Sequence, residues 1–123
     1  MGTPEPRLRV TVSGHWPVVV LACRGEIDHE TYDLFADGAL RALAGTEPDV
    51  VVDLAEVAYC NTSGLKVLRH AADHARAHGR RLSVATGGNA GLARVTGVAD
   101  GLTLVGDPSE VFDSVHESPP VER

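Results

Sequence analysis

Residues Tyr59–Leu68 read YCNTSGLKVL and mark a junction between a strand and a helix. The apolar run Val50–Val52 shortly before it predicts a buried strand, and leucines and alanines recur at helical spacing after it. Small polar residues and a glycine therefore stand where a strand gives way to a helix. Asn, Thr and Ser cap helices because their side-chain oxygens accept unpaired amide hydrogens of the first turn. The helix dipole favours negative charge at the same end, so a hydroxyl here can carry a phosphate at modest local cost.

The apolar pattern predicts strands on both sides of this region. The predicted strands are Leu8–Val12, Trp16–Cys23, Asp49–Leu54, Arg81–Ala85 and Leu102–Val105. We expect Ser13–His15 to form a hairpin turn between the first two strands, and Ala55–Cys60 to be a connection. Arg24–His29 is predicted to be a loop.

Helical periodicity predicts one helix over Glu30–Ala44 and a second from Ser63 to His78, each followed by a glycine. The predicted buried face of the first helix comprises Tyr32, Phe35, Ala39, Leu40 and Leu43. Thr86–Asn89 is predicted to be a turn, with Asn89 capping a short helix that contains Leu92, Val95 and Val98. Asp107 is predicted to cap a final helix.

The alternation of strands and helices predicts an α/β fold, in which a mixed, mainly parallel sheet carries packed helices. A length of 123 residues suits one domain, which we expect at residues 8–116, with flexible tails at 1–7 and 117–123. Apolar residues make up 43% and aromatic residues 4% of the chain, so the predicted core is built from Val, Leu and Ala.

Composition also narrows the class of protein. The net charge is −6 and no basic stripe is present, which argues against direct nucleic-acid binding. No apolar run has the length of a membrane span, and no signal peptide is visible at the N-terminus. We therefore predict a cytoplasmic protein in which Cys23 and Cys60 are reduced thiols.

Two groups of side chains have spacings that could suit catalysis or metal binding. Glu26 and Asp28 stand close enough in sequence for acid–base work or cation binding, but Asp28 is also well placed to cap the next helix, and that is the prediction. His70, His74 and His78 have a spacing that would suit a metal. Because they project away from the apolar stripe of their helix, we predict a solvated face, no metal and no cofactor.

An enzyme is not predicted. The nucleophile-elbow motif requires a glycine two residues before the serine, and Asn61 occupies that position relative to Ser63. Cys60 has no neighbour in sequence that would lower its pKa, so a buried, inert thiol is expected.

Two motifs resemble those of one family. Asn61–Leu65 resembles the Asp-Ser-Ser/Thr-Gly-Leu motif of bacterial anti-sigma factor antagonists, which are single STAS domains, and Gly25–His29 resembles their Gly-Glu-Leu/Ile-Asp loop. The order and spacing of the motifs also fit. The resemblance implies a small α/β STAS domain that binds an anti-sigma factor with serine/threonine kinase activity and so releases a sigma factor. The partner, not this chain, would use ATP.

The resemblance also implies which residues carry that role. The phosphate acceptor would be Thr62, with Ser63 as the fallback, and phosphorylation would break the complex. The implied partner-binding residues are Glu26, Asp28, His29, Asn61, Thr62, Ser63, Gly64, Leu65 and Lys66. The expected state is a monomer or a weak dimer.

The chain departs from the family at two positions of the motif and at the residue that follows it. Asn61 replaces an Asp and keeps an acceptor oxygen without the charge, Thr62 replaces a Ser, and Lys66 stands where a small residue is usual. The substitutions at Asn61 and Thr62 leave a second class open: a STAS adaptor or scaffold subunit of a multiprotein or transporter-associated complex that is never phosphorylated.

Overall fold

A computed structural model describes residues 6–89 and 102–111. Its elements are β1 Leu8–His15, β2 Val18–Ile27, α1 Tyr32–Leu43, β3 Asp49–Cys60, α2 Thr62–Ala77, β4 Arg81–Ala85 and β5 Thr103–Val105. The strands form one sheet in the order β1-β2-β3-β4-β5, in which β1 is antiparallel to β2 and the other neighbours are parallel. The predicted α/β fold with a mixed, mainly parallel sheet is confirmed.

The hairpin turn lies further along the chain than predicted. Ser13, Gly14 and His15 continue β1 and pair with β2, and the last pair joins His15 to Val18. The turn is therefore Trp16-Pro17, whose peptide bond is cis. The prediction of a turn at Ser13–His15 was wrong because pairing with the apolar strand β2 outweighs the turn preference of a Ser-Gly pair.

Strands β2 and β3 are both longer than predicted. Arg24–Ile27 continues β2, and Ala55–Cys60 continues β3, so the predicted loop and connection are largely paired backbone. Two register shifts interrupt the pairing, which ends at Ile27 opposite Cys60. As a result, the two motifs begin side by side at the carboxyl ends of neighbouring strands.

Helices α1 and α2 pack on the same face of the sheet. Phe35 of α1 and Leu68 and Ala75 of α2 are buried in the main core beside alternate residues of β2 and β3. The opposite face carries a smaller cluster that includes Val51 and Val111. The β3 apolar run is thus buried on both sides, as a central parallel strand requires.

The predicted buried face of α1 is only partly correct. Phe35 and Ala39 are buried, but Tyr32 and Leu40 are exposed, Leu40 by 68%. Helical periodicity identifies residues that share a side of the helix, but it does not say how much of that side the sheet covers.

Several predictions fall at or beyond the limits of the described residues. The predicted short helix after Asn89 lies outside them, as do most of both tails, so the bounds of the domain remain predictions. The amide of Ser109 donates to Asp107 Oδ1 at 2.8 Å, which confirms Asp107 as a cap. Among the described helices, none combines the length and apolar character needed to cross a membrane.

Candidate functional site

The first turn of α2 is held by Asn61. Its backbone is extended, and its side-chain Oδ1 accepts the Gly64 amide hydrogen at 2.9 Å. Its own amide donates to Ile27 O at 2.9 Å, and its carbonyl accepts from the Leu65 amide at 3.1 Å. Asn61 therefore ties the start of α2 to the end of β2, and this cap needs an acceptor oxygen but no charge.

Thr62 and Ser63 are the first two residues of α2, and both are exposed. Their amides belong to the helix turn whose N–H groups have no carbonyl partner within the helix. Both hydroxyls thus lie in the weakly positive environment that the aligned peptide dipoles create.

Gly64 joins the two sequence motifs physically. A Cβ atom added at this position would lie 2.7 Å from Ile27 Cγ2 and 2.7 Å from Cys60 Sγ. Because both neighbours are buried at strand ends, neither can move away easily. The φ angle of Gly64 is not positive. Close packing, and not an unusual backbone conformation, therefore requires glycine here.

Asp28 organises the other motif. Its Oδ1 accepts the amide hydrogens of Glu30 at 2.9 Å and Thr31 at 3.1 Å. The Thr31 hydroxyl donates to Glu26 O at 2.8 Å, so a short polar network connects β2 to α1. The prediction that Asp28 caps the helix needs a correction: it caps the turn before α1, and Thr31, at the N-cap position, makes no capping side-chain bond.

Arg7 closes this network. Its guanidinium contacts the carboxylates of Glu26, at 3.0 Å, and of Asp28 and Glu30. Burial opposes the charge on Asp28, but the amides of Glu30 and Thr31 and the Arg7 cation together lower its pKa below the ordinary value. Arg7 belongs to the predicted N-terminal tail, and no local pattern in the sequence reveals its contact with Asp28.

A small hollow lies beside Ser63. His29, Tyr32, Ser63 and Lys66 line it, and it encloses about 280 Å³. His29 and Lys66 thus line the same hollow as Ser63, whereas Glu26 and Asp28 bind Arg7. Leu65 instead packs against the core. Tyr32 also lines the hollow, although its helical spacing predicts a place on the buried face of α1.

The two cysteine thiols are buried. Burial raises the pKa of Cys23 to about 12 and that of Cys60 to about 11. Both therefore remain protonated near neutral pH, where the thiolate needed for nucleophilic attack is scarce.

The histidine row lies on the exposed side of α2. The rings of His74 and His78 stack with their centroids 4.3 Å apart, and His78 Nδ1 lies 2.8 Å from His74 O. Within residues 6–89 and 102–111, no three His, Cys, Asp or Glu side chains converge as metal ligands would.

Comparison with known proteins places this arrangement in a family. The family model described as "Mlab, STAS domain" matches residues 9–106. The chain belongs to the STAS-domain family. No curated protein sequence matches this STAS domain significantly.

Solved structures share the fold of this STAS domain. An anti-sigma factor antagonist from Mycobacterium paratuberculosis is 20% identical with a TM-score of 0.74, over 95% of this chain and 100% of that one. Phosphorylated SpoIIAA from Bacillus is 14% identical with a TM-score of 0.63, over 87% and 99%. An anti-sigma-factor antagonist (STAS) domain protein from Planctomyces limnophilus is 15% identical with a TM-score of 0.69, over 85% of this chain and 95% of that one. At these identities the likeness establishes the fold.

Proposed function

We propose that this STAS domain is an anti-sigma factor antagonist controlled by phosphorylation of Thr62. The unphosphorylated form binds an anti-sigma factor that is also a serine/threonine kinase, and the sigma factor is released. The observation that carries the proposal is the position of Thr62, exposed as the first residue of α2 and held by the Asn61 cap. The structural likeness to SpoIIAA, which has been solved in unphosphorylated and phosphorylated forms, also supports control by phosphorylation.

The free protein can accommodate a phosphate on Thr62. The group adds a charge of about −1.5 to −2 at pH 7. The unpaired amides of the α2 first turn favour that charge, and Lys66, four residues later, lies on the same side of the helix. Because the cap residue is the neutral Asn61 rather than an Asp, it adds no repulsion to the phosphate.

At an interface the same phosphate is unfavourable. A surface fitted around a hydroxyl has no room for it, and the added charge must lose its hydration. Asp28 directly follows the strand end that pairs with Cys60, so the acidic motif adjoins the phosphorylated turn. A loss of about 1.4 kcal/mol already weakens the complex tenfold, so a modest penalty is enough for a switch.

The remaining roles follow from this proposal. Ser63 is the alternative acceptor. The exposed residues of the two motifs face the partner: Glu26, His29, Thr62, Ser63 and Lys66. The other residues of the motifs hold them in place: Asp28, Asn61, Gly64 and Leu65. The protein acts in the bacterial cytoplasm as a monomer or weak dimer, without a cofactor or catalysis of its own.

Mapping the phosphorylated residue tests the proposal. Tagged protein is incubated with ATP and an extract of the native host, then recovered and analysed by mass spectrometry. The variants are Thr62→Ala, Ser63→Ala and Thr46→Ala, the last removing an exposed threonine hydroxyl from the loop after α1. We expect phosphate on Thr62 in the wild type, Ser63→Ala and Thr46→Ala proteins, and none in Thr62→Ala.

Two other labelling results would change the proposed switch. Phosphate on Ser63 alone would transfer the switch to the fallback acceptor. Absence of phosphate from the wild type, together with a stable partner that all variants retain equally, would overturn the proposal and favour the unphosphorylated adaptor.

A further inference from the structure

A groove runs between the two helices on the side away from the sheet. It encloses about 710 Å³ and is mainly apolar. The residues that line it are Tyr32, Ala36, Ala39, Leu40, Leu43 and Ala44 from α1 and its end, and Lys66, Val67, His70, Ala71 and His74 from α2. Small alanines line both walls, so the groove is open to an incoming side chain.

Leu40 is the most exposed large aliphatic residue beside this groove, at 68%. An exposed leucine alone is ordinary, but a leucine next to a continuous apolar groove marks a contact surface for a partner. Leu34, 43% exposed on the same helix, does not line the groove and provides a natural comparison.

The α2 edge of the groove carries the positive charge of Lys66. The titratable side chains that line it from α2 are Lys66, His70 and His74, none of them acidic. Asp73 lies on another side of α2 and pairs with Arg76. Lys66 therefore gives this edge a positive charge with no acidic side chain in the lining beside it. The edge suits a partner segment with acidic side chains, whereas a symmetric contact with a second copy would place this positive edge against itself.

The groove continues into the hollow beside Ser63, because Tyr32 and Lys66 line both. We propose that this groove binds an amphipathic helix of the partner, with apolar residues against Leu40 and Val67 and acidic residues facing Lys66 and His70. Lys66 to His74 spans about 12 Å, or roughly two helical turns. The proposal rests on the proposed function, which identifies the partner as the anti-sigma factor.

This arrangement explains how a phosphate at one end acts on a helix bound along the groove. Lys66 is the basic residue nearest in sequence to Thr62 and Ser63. A phosphate on either hydroxyl competes with the acidic residues of the bound helix for this ammonium group. It also places negative charge at the end of the groove where the acidic helix must enter.

Site-specific photocrosslinking tests the occupant. Benzoylphenylalanine is placed at position 40, and in a matched control at position 34, and each protein is irradiated in native-host extract without added ATP. We expect position 40 to crosslink to an acidic, amphipathic segment of another protein, identified by peptide mass spectrometry, and position 34 to give no such product. Crosslinks to a second copy of this chain or to lipid, equal yields at both positions, or no product would overturn the proposal.

The crosslinked segment, made as a synthetic peptide, then serves as the probe. Leu40→Glu and Lys66→Glu are expected to weaken its binding about tenfold or more, whereas Leu34→Glu and Arg69→Glu, on the same helices but outside the groove, leave it unchanged. Equal effects of the groove and control variants would contradict the proposal. If the segment belongs to a protein that does not phosphorylate this chain, the groove proposal stands and the proposed function fails, so the two are separable.

Discussion

Gly64, in the first turn of α2, lies directly against Ile27 at the end of β2. A methyl group at Gly64 would approach Ile27 Cγ2 to 2.7 Å. The two family motifs are therefore in contact, and the start of α2 is set by the position of the neighbouring strand end. Whatever binds at Thr62 encounters a surface that both motifs build.

Gly64→Ala is expected to lower the free energy of unfolding by about 1–3 kcal/mol, because the added methyl overpacks a buried contact. Urea denaturation measures the change. Gly14→Ala is the control, since there the nearest atom is the end of the Glu47 side chain at 3.0 Å and can move. A Gly64→Ala protein as stable as the Gly14→Ala protein would contradict the close packing.

Asn61→Ala is expected to lower the free energy of unfolding by about 1 kcal/mol, because the Gly64 amide loses its acceptor. Asn61→Asp keeps the acceptor and adds a charge that the helix dipole favours, so its stability should equal or exceed that of the wild type. Thermal unfolding compares the two variants. Equal losses in both would show that the cap oxygen does not stabilise α2.

Stability in acid depends on Asp28. The pKa of Asp28 is lower in the folded protein than in the unfolded chain. The ionised carboxylate therefore contributes fully to the free energy of unfolding above the ordinary carboxylate pKa of about 3.9. This contribution is lost as the pH falls through the lower folded value. The unfolding free energy of the wild type should therefore fall more steeply than that of Asp28→Asn below about pH 4. Denaturant titrations between about pH 6 and pH 2.5 measure both curves, and parallel curves would contradict the lowered pKa.

Both thiols should resist alkylation in the folded protein. Burial raises the pKa values of Cys23 and Cys60 to about 12 and about 11, so little thiolate is present at pH 8. Iodoacetamide labelling followed by mass spectrometry should be slow in native buffer and fast in urea. Labelling of Cys60 in native buffer at the rate seen in urea would show that the thiol is accessible and ionised.

The sequence alone predicted the features that depend on local pattern. The junction of strand and helix around Asn61, the parallel sheet and the cap at Asp107 follow from periodicity and capping chemistry, which act over a few residues. The pairing of Ile27 with Cys60 extended two strands beyond their predicted ends, since a strand end depends on its neighbour as well as on its own residues.

Contacts between distant parts of the chain were not predictable in the same way. Arg7 reaches Asp28 across many residues, and nothing near either one indicates the other. The exposure of Leu40 depends on how far apart α1 and α2 lie on the sheet, which helical spacing does not specify. The groove therefore became visible only in three dimensions.

The most direct test of the central claim compares the partner affinity of two forms of the purified protein, unphosphorylated and phosphorylated on Thr62. Each form is immobilised at equal density and exposed to native-host extract in the absence of ATP, and the kinase bound to each is quantified by mass spectrometry. We predict that the unphosphorylated form captures an ATP-binding kinase and that the phosphorylated form captures at least about tenfold less. Equal capture by both forms, or capture of no kinase by either, would contradict the account.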